Sequence, residues 1–152
     1  MNNEGRRDRY LAVDFGLKRI GIAITDDLKL MAFSRKNLEN NKGIFEEILK
    51  LVINENVSRI IIGHPLNFKS EATHSTVHVT EFCNKLMTIC SQRKLDVEIV
   101  FLDERFTSSL AQHNISESGL SKKKRRDKGL LDSEAARIIL EDYLKKEKNQ
   151  KQ

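Results

Sequence analysis

The chain of 152 residues contains no tryptophan, one proline and two cysteines. Because aromatic residues make up only 6% of it, a binding mode built on aromatic stacking is not expected. Cys83 and Cys90 lie seven residues apart in a predicted helix, where they share a face. Such a pair does not easily form a disulfide with itself, so we expect two free thiols in a reducing compartment.

Long hydrophobic runs are also missing. No run approaches the roughly 18 residues of a membrane span, and no secretory-type apolar stretch follows the amino-terminal segment Met-Asn-Asn-Glu-Gly-Arg-Arg. We therefore expect a cytoplasmic protein with no membrane contact. The length predicts a single domain over residues 1–152, with a flexible amino terminus (about 1–7), a basic loop (about 116–130) and a frayed tail (about 146–152).

What the chain does have is positive charge, with a net value of +5 and an isoelectric point near 9.2. This balance favours an anionic partner, and nucleic acid above others. A dense basic cluster comprises Lys122, Lys123, Lys124, Arg125 and Arg126. A solvated surface loop is the alternative explanation for this cluster.

Hydrophobic periodicity predicts five strands and four helices. The strands cover 9–15, 19–25, about 30–35, 58–63 and 97–102, and the helices cover 42–56, 74–93, about 107–115 and a segment that starts near Asp132. The first two strands are separated by only three residues, which is typical of a tight hairpin. An antiparallel opening followed by β-α-β crossovers predicts a mixed sheet in a three-layer α/β domain.

Three acidic residues stand where strands or helices end. Asp14 closes the first strand, Glu104 follows the last strand, and Asp132 opens the last helix. Ligands of open α/β sheets bind outside the carboxyl ends of the strands, so these carboxylates could meet there. Clustered carboxylates are suited to Mg²⁺ or Mn²⁺, and two such ions stabilise both the attacking and the leaving oxygen in phosphodiester hydrolysis.

Each acid also has a simpler explanation. Asp132 could cap its helix, Asp14 could serve as a turn residue before Gly16, and Asp103 to Arg105 could be a solvated strand end. Asp103 and Glu104 point to opposite faces if the strand persists. Only one of the two is then a direct metal ligand; we favour Glu104 and keep Asp103 as the alternate.

Four blocks of sequence together resemble the YqgF (RuvX) family. They are residues 14–23 (DFGLKRIGIA), 63–67 (GHPLN), 103–107 (DERFT) and 124–136, and they follow one another in family order. The resemblance implies an RNase H-like fold, with a mixed five-stranded sheet of order 3-2-1-4-5 in which strand 2 is antiparallel. It also implies a cytoplasmic nuclease whose acidic positions match Asp14, Glu104 and Asp132.

The family is assigned to 5′-end maturation of precursor 16S ribosomal RNA, and is also described as a Holliday junction resolvase. We therefore expect precursor rRNA, within the small-subunit precursor, as the favoured partner and branched DNA in recombination or repair as the alternative. A non-catalytic RNA-binding assembly factor is the second alternative. We expect a monomer or a weak homodimer. Because a junction resolvase needs two active sites, a strict monomer would favour the RNA substrate.

Basic and polar residues near these acids are candidates for contacts with backbone phosphates. They are Lys18, Arg19, His64, Asn67, Lys69, Arg105, Lys122, Lys123, Lys124, Arg125 and Arg126. A nucleotide-dependent enzyme of the actin and hexokinase type is disfavoured, because one domain cannot close a two-domain cleft. The run from Gly16 to Gly21 also lacks the Lys-Ser/Thr of a phosphate-binding loop.

Overall fold

Five strands and three helices make up the part of the chain that the computed structural model describes, which is residues 7–64, 74–103 and 128–150. Side chains are described there except at His64, 74–76, Asp103 and 128–133. In chain order the elements are β1 (Arg9–Asp14), β2 (Arg19–Thr25), β3 (Ala32–Glu39), α1 (Ile44–Asn54), β4 (Val57–His64), α2 (His74–Gln92), β5 (Glu98–Asp103) and α3 (Lys128–Gln150).

The strands form one sheet of order β3-β2-β1-β4-β5. Strand β2 is antiparallel to both β1 and β3, whereas β4 is parallel to both β1 and β5. The short connection between β1 and β2 permits only a hairpin, and α1 provides the crossover that a parallel β1–β4 pair requires. The predicted sheet order, with strand 2 antiparallel, is confirmed.

Two apolar clusters lie on opposite faces of the sheet and define three layers. One combines alternate residues of the strands, such as Leu11 and Val13, with the buried faces of α1 and α2. The other combines Ala12 and Ile61 with Ala136, Ile139 and Leu140 of α3. Burial on both faces explains why the central strands have unbroken apolar sequences. None of the described helices is both long and apolar enough to cross a membrane.

Helix α3 differs most from expectation. It begins at Lys128 and continues to Gln150, so the predicted start near Asp132 is wrong, and residues 128–130 and 146–150, expected as loop and tail, are helical. Gly129 has a low intrinsic helix propensity, so the sequence does not indicate that the helix begins before it. The predicted helix over 107–115 and the loop residues up to 127 lie outside the described residues. Strand β3 is also longer than predicted and extends to Glu39.

A polar network connects the carboxy-terminal half of α3 to the sheet. Arg59 of β4 donates through Nη1 to Glu147 Oε2 (2.6 Å) and to the Tyr143 hydroxyl (2.7 Å). The Tyr10 hydroxyl donates to Glu147 Oε1 at 3.0 Å, and the Arg59 guanidinium lies 5.0 Å from the Tyr10 ring centroid. The carboxy-terminal half of α3 is therefore held against β1 and β4, which fixes the course of the helix across the sheet.

Candidate active site

The carboxyl ends of three neighbouring parallel strands meet at one edge of the sheet. In the strand register, Asp14 of β1 pairs with Gly63 of β4, and Gly63 pairs with Leu102 of β5. One residue further on, His64 pairs with Asp103. Asp14 is only 5% exposed, so the first of the predicted acids is a buried carboxylate at this edge.

Asp14 lies on the α3 side of the sheet. Side chains alternate along a strand, and Tyr10 and Ala12, which have the same parity as Asp14, belong to the apolar cluster under α3. Leu102 packs against the same cluster. Since Asp14 and Leu102 are separated by two strand spacings, their backbones lie about 10 Å apart. The ends of β1 and β5 therefore border one surface beneath α3.

Helix α3 passes over this surface, and Asp132 belongs to the helix. Ala136, one helical turn after Asp132, packs into the cluster that also contains Ala12 and Ile61. Because the helix begins at Lys128, Asp132 lies in its second turn, and the alternative that Asp132 caps the helix is wrong. The side chain of Asp132 lies outside the described residues.

Of the four predicted acids, Asp14 alone has a described side chain. Asp103 is placed by its backbone at the end of β5, and Glu104 lies outside the described residues. Within the described part of the chain, no group of three or more His, Cys, Asp or Glu residues could hold a metal ion. Carboxylate oxygen is the donor that Mg²⁺ and Mn²⁺ prefer, so the buried Asp14 fits such an ion in chemical type.

The turn after Asp14 is tightly constrained and places two cations beside the edge. A Cβ atom at Gly16 would lie 2.4 Å from the backbone oxygen of Arg19. Asn40, just after β3, donates through Nδ2 to the Gly16 oxygen (2.8 Å) and through its backbone nitrogen to the Lys18 oxygen (2.9 Å). Lys18 is exposed and Arg19 is partly buried. Both are candidate phosphate-binding residues, and both follow Asp14 closely in the chain.

Sequence reasoning missed the role of Asn40. An asparagine directly after a strand is typical of a turn, and nothing local indicates that its side chain reaches a different hairpin. The remaining predicted phosphate contacts lie outside the described residues; these are the side chain of His64 together with Asn67, Lys69, Arg105, Lys122, Lys123, Lys124, Arg125 and Arg126.

Comparison of sequences gives a family and several relatives. The family model "RuvX: Holliday junction resolvase" matches residues 8–146. A protein of Phocaeicola vulgatus named "Putative pre-16S rRNA nuclease" is 38% identical over 141 residues, which are 92% of this chain and 97% of the relative. Proteins with the same name are 40% identical in Sulfurihydrogenibium sp. (90% of this chain, 89% of the relative) and 39% identical in Maridesulfovibrio salexigens (90% and 97%).

Comparison of structures gives, among other matches, two resolvases with the same fold. T. thermophilus RuvC in complex with a Holliday junction substrate superposes with a TM-score of 0.53 and 11% identity, covering 87% of this chain and 91% of that chain. The fowlpox virus resolvase, solved with Holliday junction DNA, gives a TM-score of 0.54 and 12% identity, with 91% and 97% covered. At such identities the likeness establishes the RNase H-like fold alone.

Proposed function

Because the chain belongs to the RuvX family, we propose that this nuclease hydrolyses phosphodiester bonds at the 5′ end of precursor 16S ribosomal RNA. Two relatives that this chain matches over 97% of their length carry the name pre-16S rRNA nuclease. The enzyme is a hydrolase that acts on ester bonds. In our proposal it works in the cytoplasm, on the precursor of the small ribosomal subunit, as a monomer or a weak homodimer.

The observation that carries the proposal is the placement of Asp14 under α3, at the edge where β5 also ends. Residues two apart on a strand share a face, so continuation of β5 would put Glu104 on the face of Leu102 and Asp14. This parity favours Glu104 over Asp103 as the metal ligand. Asp132 precedes Ala136 by one turn, and positions four apart share a helix face. The third carboxylate would then point at the same edge.

In the proposed site, Asp14, Glu104 and Asp132 hold divalent metal, Mg²⁺ or Mn²⁺. When bound, the metal supplies positive charge that stabilises the oxygens of the reacting phosphate. The carboxylates would repel one another without a cation, so their convergence itself favours metal binding. Buried Asp14 contributes a ligand whose backbone is held between β2 and β4 by its register with Gly21 and Gly63.

Substrate binding in this proposal depends on cations around the acids. Lys18 lies in the constrained turn after Asp14, and Arg19 is the first residue of β2. Both would contact backbone phosphates, which position a nucleic-acid strand without reading its sequence. Arg105 and the cluster from Lys122 to Arg126 would extend this path, together with His64, the last residue of β4, and with Asn67 and Lys69, which follow it in the chain. An RNA strand bound in this way would contact the basic side chains before it reaches the metal.

The direct test is Asp14→Asn, assayed on an end-labelled precursor 16S RNA fragment with Mn²⁺, Mg²⁺ or chelator. We expect cleavage to fall by roughly 100-fold or more, as for loss of a group that stabilises the transition state, with RNA affinity and melting temperature little changed. The matched control is Asp27→Asn, at the β2–β3 turn on the opposite edge. Unaltered cleavage by Asp14→Asn would contradict the assignment and favour a non-catalytic assembly factor.

A second candidate function is resolution of four-way DNA junctions, favoured by the description of the matching family model. The same assay with a four-way junction and a linear DNA duplex separates the two. Metal-dependent cuts in the junction with none in the RNA would replace the rRNA proposal. Since symmetric resolution needs two active sites, a strict monomer on the junction would argue against this second function.

A further inference from the structure

An apolar groove lies at the end of the molecule opposite to Asp14. It runs between the β2–β3 connection (residues 26–31) and the carboxy-terminal half of α3, and has a volume of about 610 Å³. Leu28, Leu30 and Met31 line it and are 65%, 72% and 60% exposed. Large apolar side chains exposed together are typical of an interaction surface.

The connection that displays these side chains has a fixed shape. Asp26 Oδ1 accepts hydrogen bonds from the backbone nitrogens of Leu30 (2.8 Å) and Met31 (2.9 Å). Lys29 adopts a positive φ of 59° and places its Nζ 2.6 Å from Asp8 Oδ1. These contacts hold Leu28 and Leu30 in exposed positions before any partner binds, and such preorganisation lowers the entropic cost of binding.

The uncommitted charges around the groove are positive. Glu141 is paired with Arg137 at 2.5 Å, and Glu147 with Arg59 at 2.6 Å. Within the described part of the chain, Lys145 and Lys148, which also line the groove, make no ion pair. An apolar floor with two available lysines is complementary to a segment that carries both acidic and apolar side chains.

We propose that this groove binds an acidic, amphipathic peptide segment of a partner protein. Among its described lining residues there is no aromatic ring on which a base could stack, which disfavours single-stranded nucleic acid as the occupant. In a symmetric dimer through this surface, the same patch would face itself, bringing Lys145 and Lys148 close to their copies. The groove is remote from Asp14, so docking leaves that edge open and would tether the nuclease to another protein.

The experiment is a selection with a random dodecapeptide library displayed on phage, against the full-length protein and counter-selected on Leu30→Asp. The Leu30 side chain is 72% exposed, so this variant should keep the fold, which thermal melting verifies. Enriched clones are made as fluorescent peptides, and their Kd is measured by anisotropy. We expect sequences rich in Asp or Glu and in Leu, Ile or Phe, which lose about tenfold in affinity for Lys145→Gln/Lys148→Gln.

The matched control is Lys50→Gln/Lys85→Gln, which removes two exposed lysines from α1 and α2 on the other face of the sheet. Its affinity for the peptides should equal that of the unmodified protein. Three results would overturn the proposal: no enrichment that depends on Leu30, displacement of the peptides from the groove by a 20-nucleotide single-stranded RNA, or a concentration-dependent dimer that Leu30→Asp abolishes.

Discussion

At the scale of single residues, the turn beside Asp14 depends on the missing side chain at Gly16. A Cβ there would meet the Arg19 backbone oxygen at 2.4 Å, and backbone cannot move aside as a flexible side chain can. We expect Gly16→Ala to lower the free energy of unfolding by about 1–3 kcal/mol and to reduce nuclease activity, because Lys18 and Asp14 flank the turn. Urea unfolding measures the first effect and cleavage of labelled RNA the second.

A second glycine provides the control for this substitution. At Gly43, before α1, the nearest atom to a new Cβ is Asn41 Oδ1 at 3.5 Å, which is an ordinary contact. Gly43→Ala should therefore change stability by no more than about 0.5 kcal/mol. Equal losses for the two alanine variants would mean that crowding at position 16 is not what constrains the turn.

Another prediction at residue scale concerns Asp8, which is 7% exposed and paired with Lys29. Burial raises the pKa of its carboxyl, but hydrogen bonds from Lys29 and Ser58 outweigh this and hold the pKa below its ordinary value of 3.8. A lowered pKa stabilises the folded state above the ordinary value, and this stabilisation is lost as the pH falls through the folded-state pKa.

The consequence is a pH-dependent difference between Asp8→Asn and the unmodified protein. Near neutral pH we expect the variant to be less stable by about 1–2 kcal/mol, and the gap should narrow below about pH 4. Urea titrations from neutral to acidic pH measure it. Lys29→Gln should remove most of the same pH dependence, and a gap that is constant with pH would show that Asp8 acts through its shape instead of its charge.

At the scale of elements, α3 is held by the contacts of Glu147 with Arg59 and Tyr10. The side chains of Arg59 and Glu147 are 26% and 21% exposed, so their ion pair is largely shielded from water. In a double-mutant cycle of Arg59→Met and Glu147→Gln, we expect a coupling energy of about 1–2 kcal/mol in the free energy of unfolding.

A more exposed pair gives the matched cycle. Arg93, the first residue after α2, pairs with Glu46 of α1, and their side chains are 47% and 58% exposed. Ion pairs in such surroundings contribute about 0.2–1 kcal/mol, so Arg93→Met with Glu46→Gln should give the smaller coupling. If the two couplings proved equal, the polar network would not be what keeps the end of α3 in place.

Helix α3 also shows which parts of the fold the sequence predicts and which it does not. Strands such as 19–25 and 58–63 were predictable because β-branched runs bury both faces, and α2 because its apolar positions recur at helical spacing. The end of α3 is rich in Lys and Glu, and its order comes from Tyr10 and Arg59. Those residues are more than 80 positions away in the chain, so no local pattern could indicate the contact.

At the scale of the whole molecule, the strand order could be predicted from the resemblance to a known family, whereas the register of the strands is known only from the structure. Sequence reasoning predicted that Asp14 ends a strand at the carboxyl edge, which the structure confirms. Leu102 packs on the same face of the sheet as Asp14. Side chains alternate along a strand, so this contact decides whether Asp103 or Glu104 would share that face. The hydrophobic periodicity of the sequence does not show to which face Leu102 belongs. The convergence of Glu104 and Asp132 with Asp14 stays a prediction.

Net positive charge is the remaining property of the whole molecule, and its value of +5 predicts nucleic-acid binding that weakens with salt. For a single strand, the logarithm of the binding constant falls with the logarithm of salt concentration by about 0.7 per neutralised phosphate. If Lys18 contacts a phosphate, Lys18→Gln should reduce this slope by about 0.7. The control is Lys85→Gln, which removes an exposed lysine of α2 and should leave the slope unchanged. Anisotropy titrations in the Asp14→Asn background with chelator keep the RNA intact, and equal slopes for the two variants would place the phosphate path away from the β1–β2 turn.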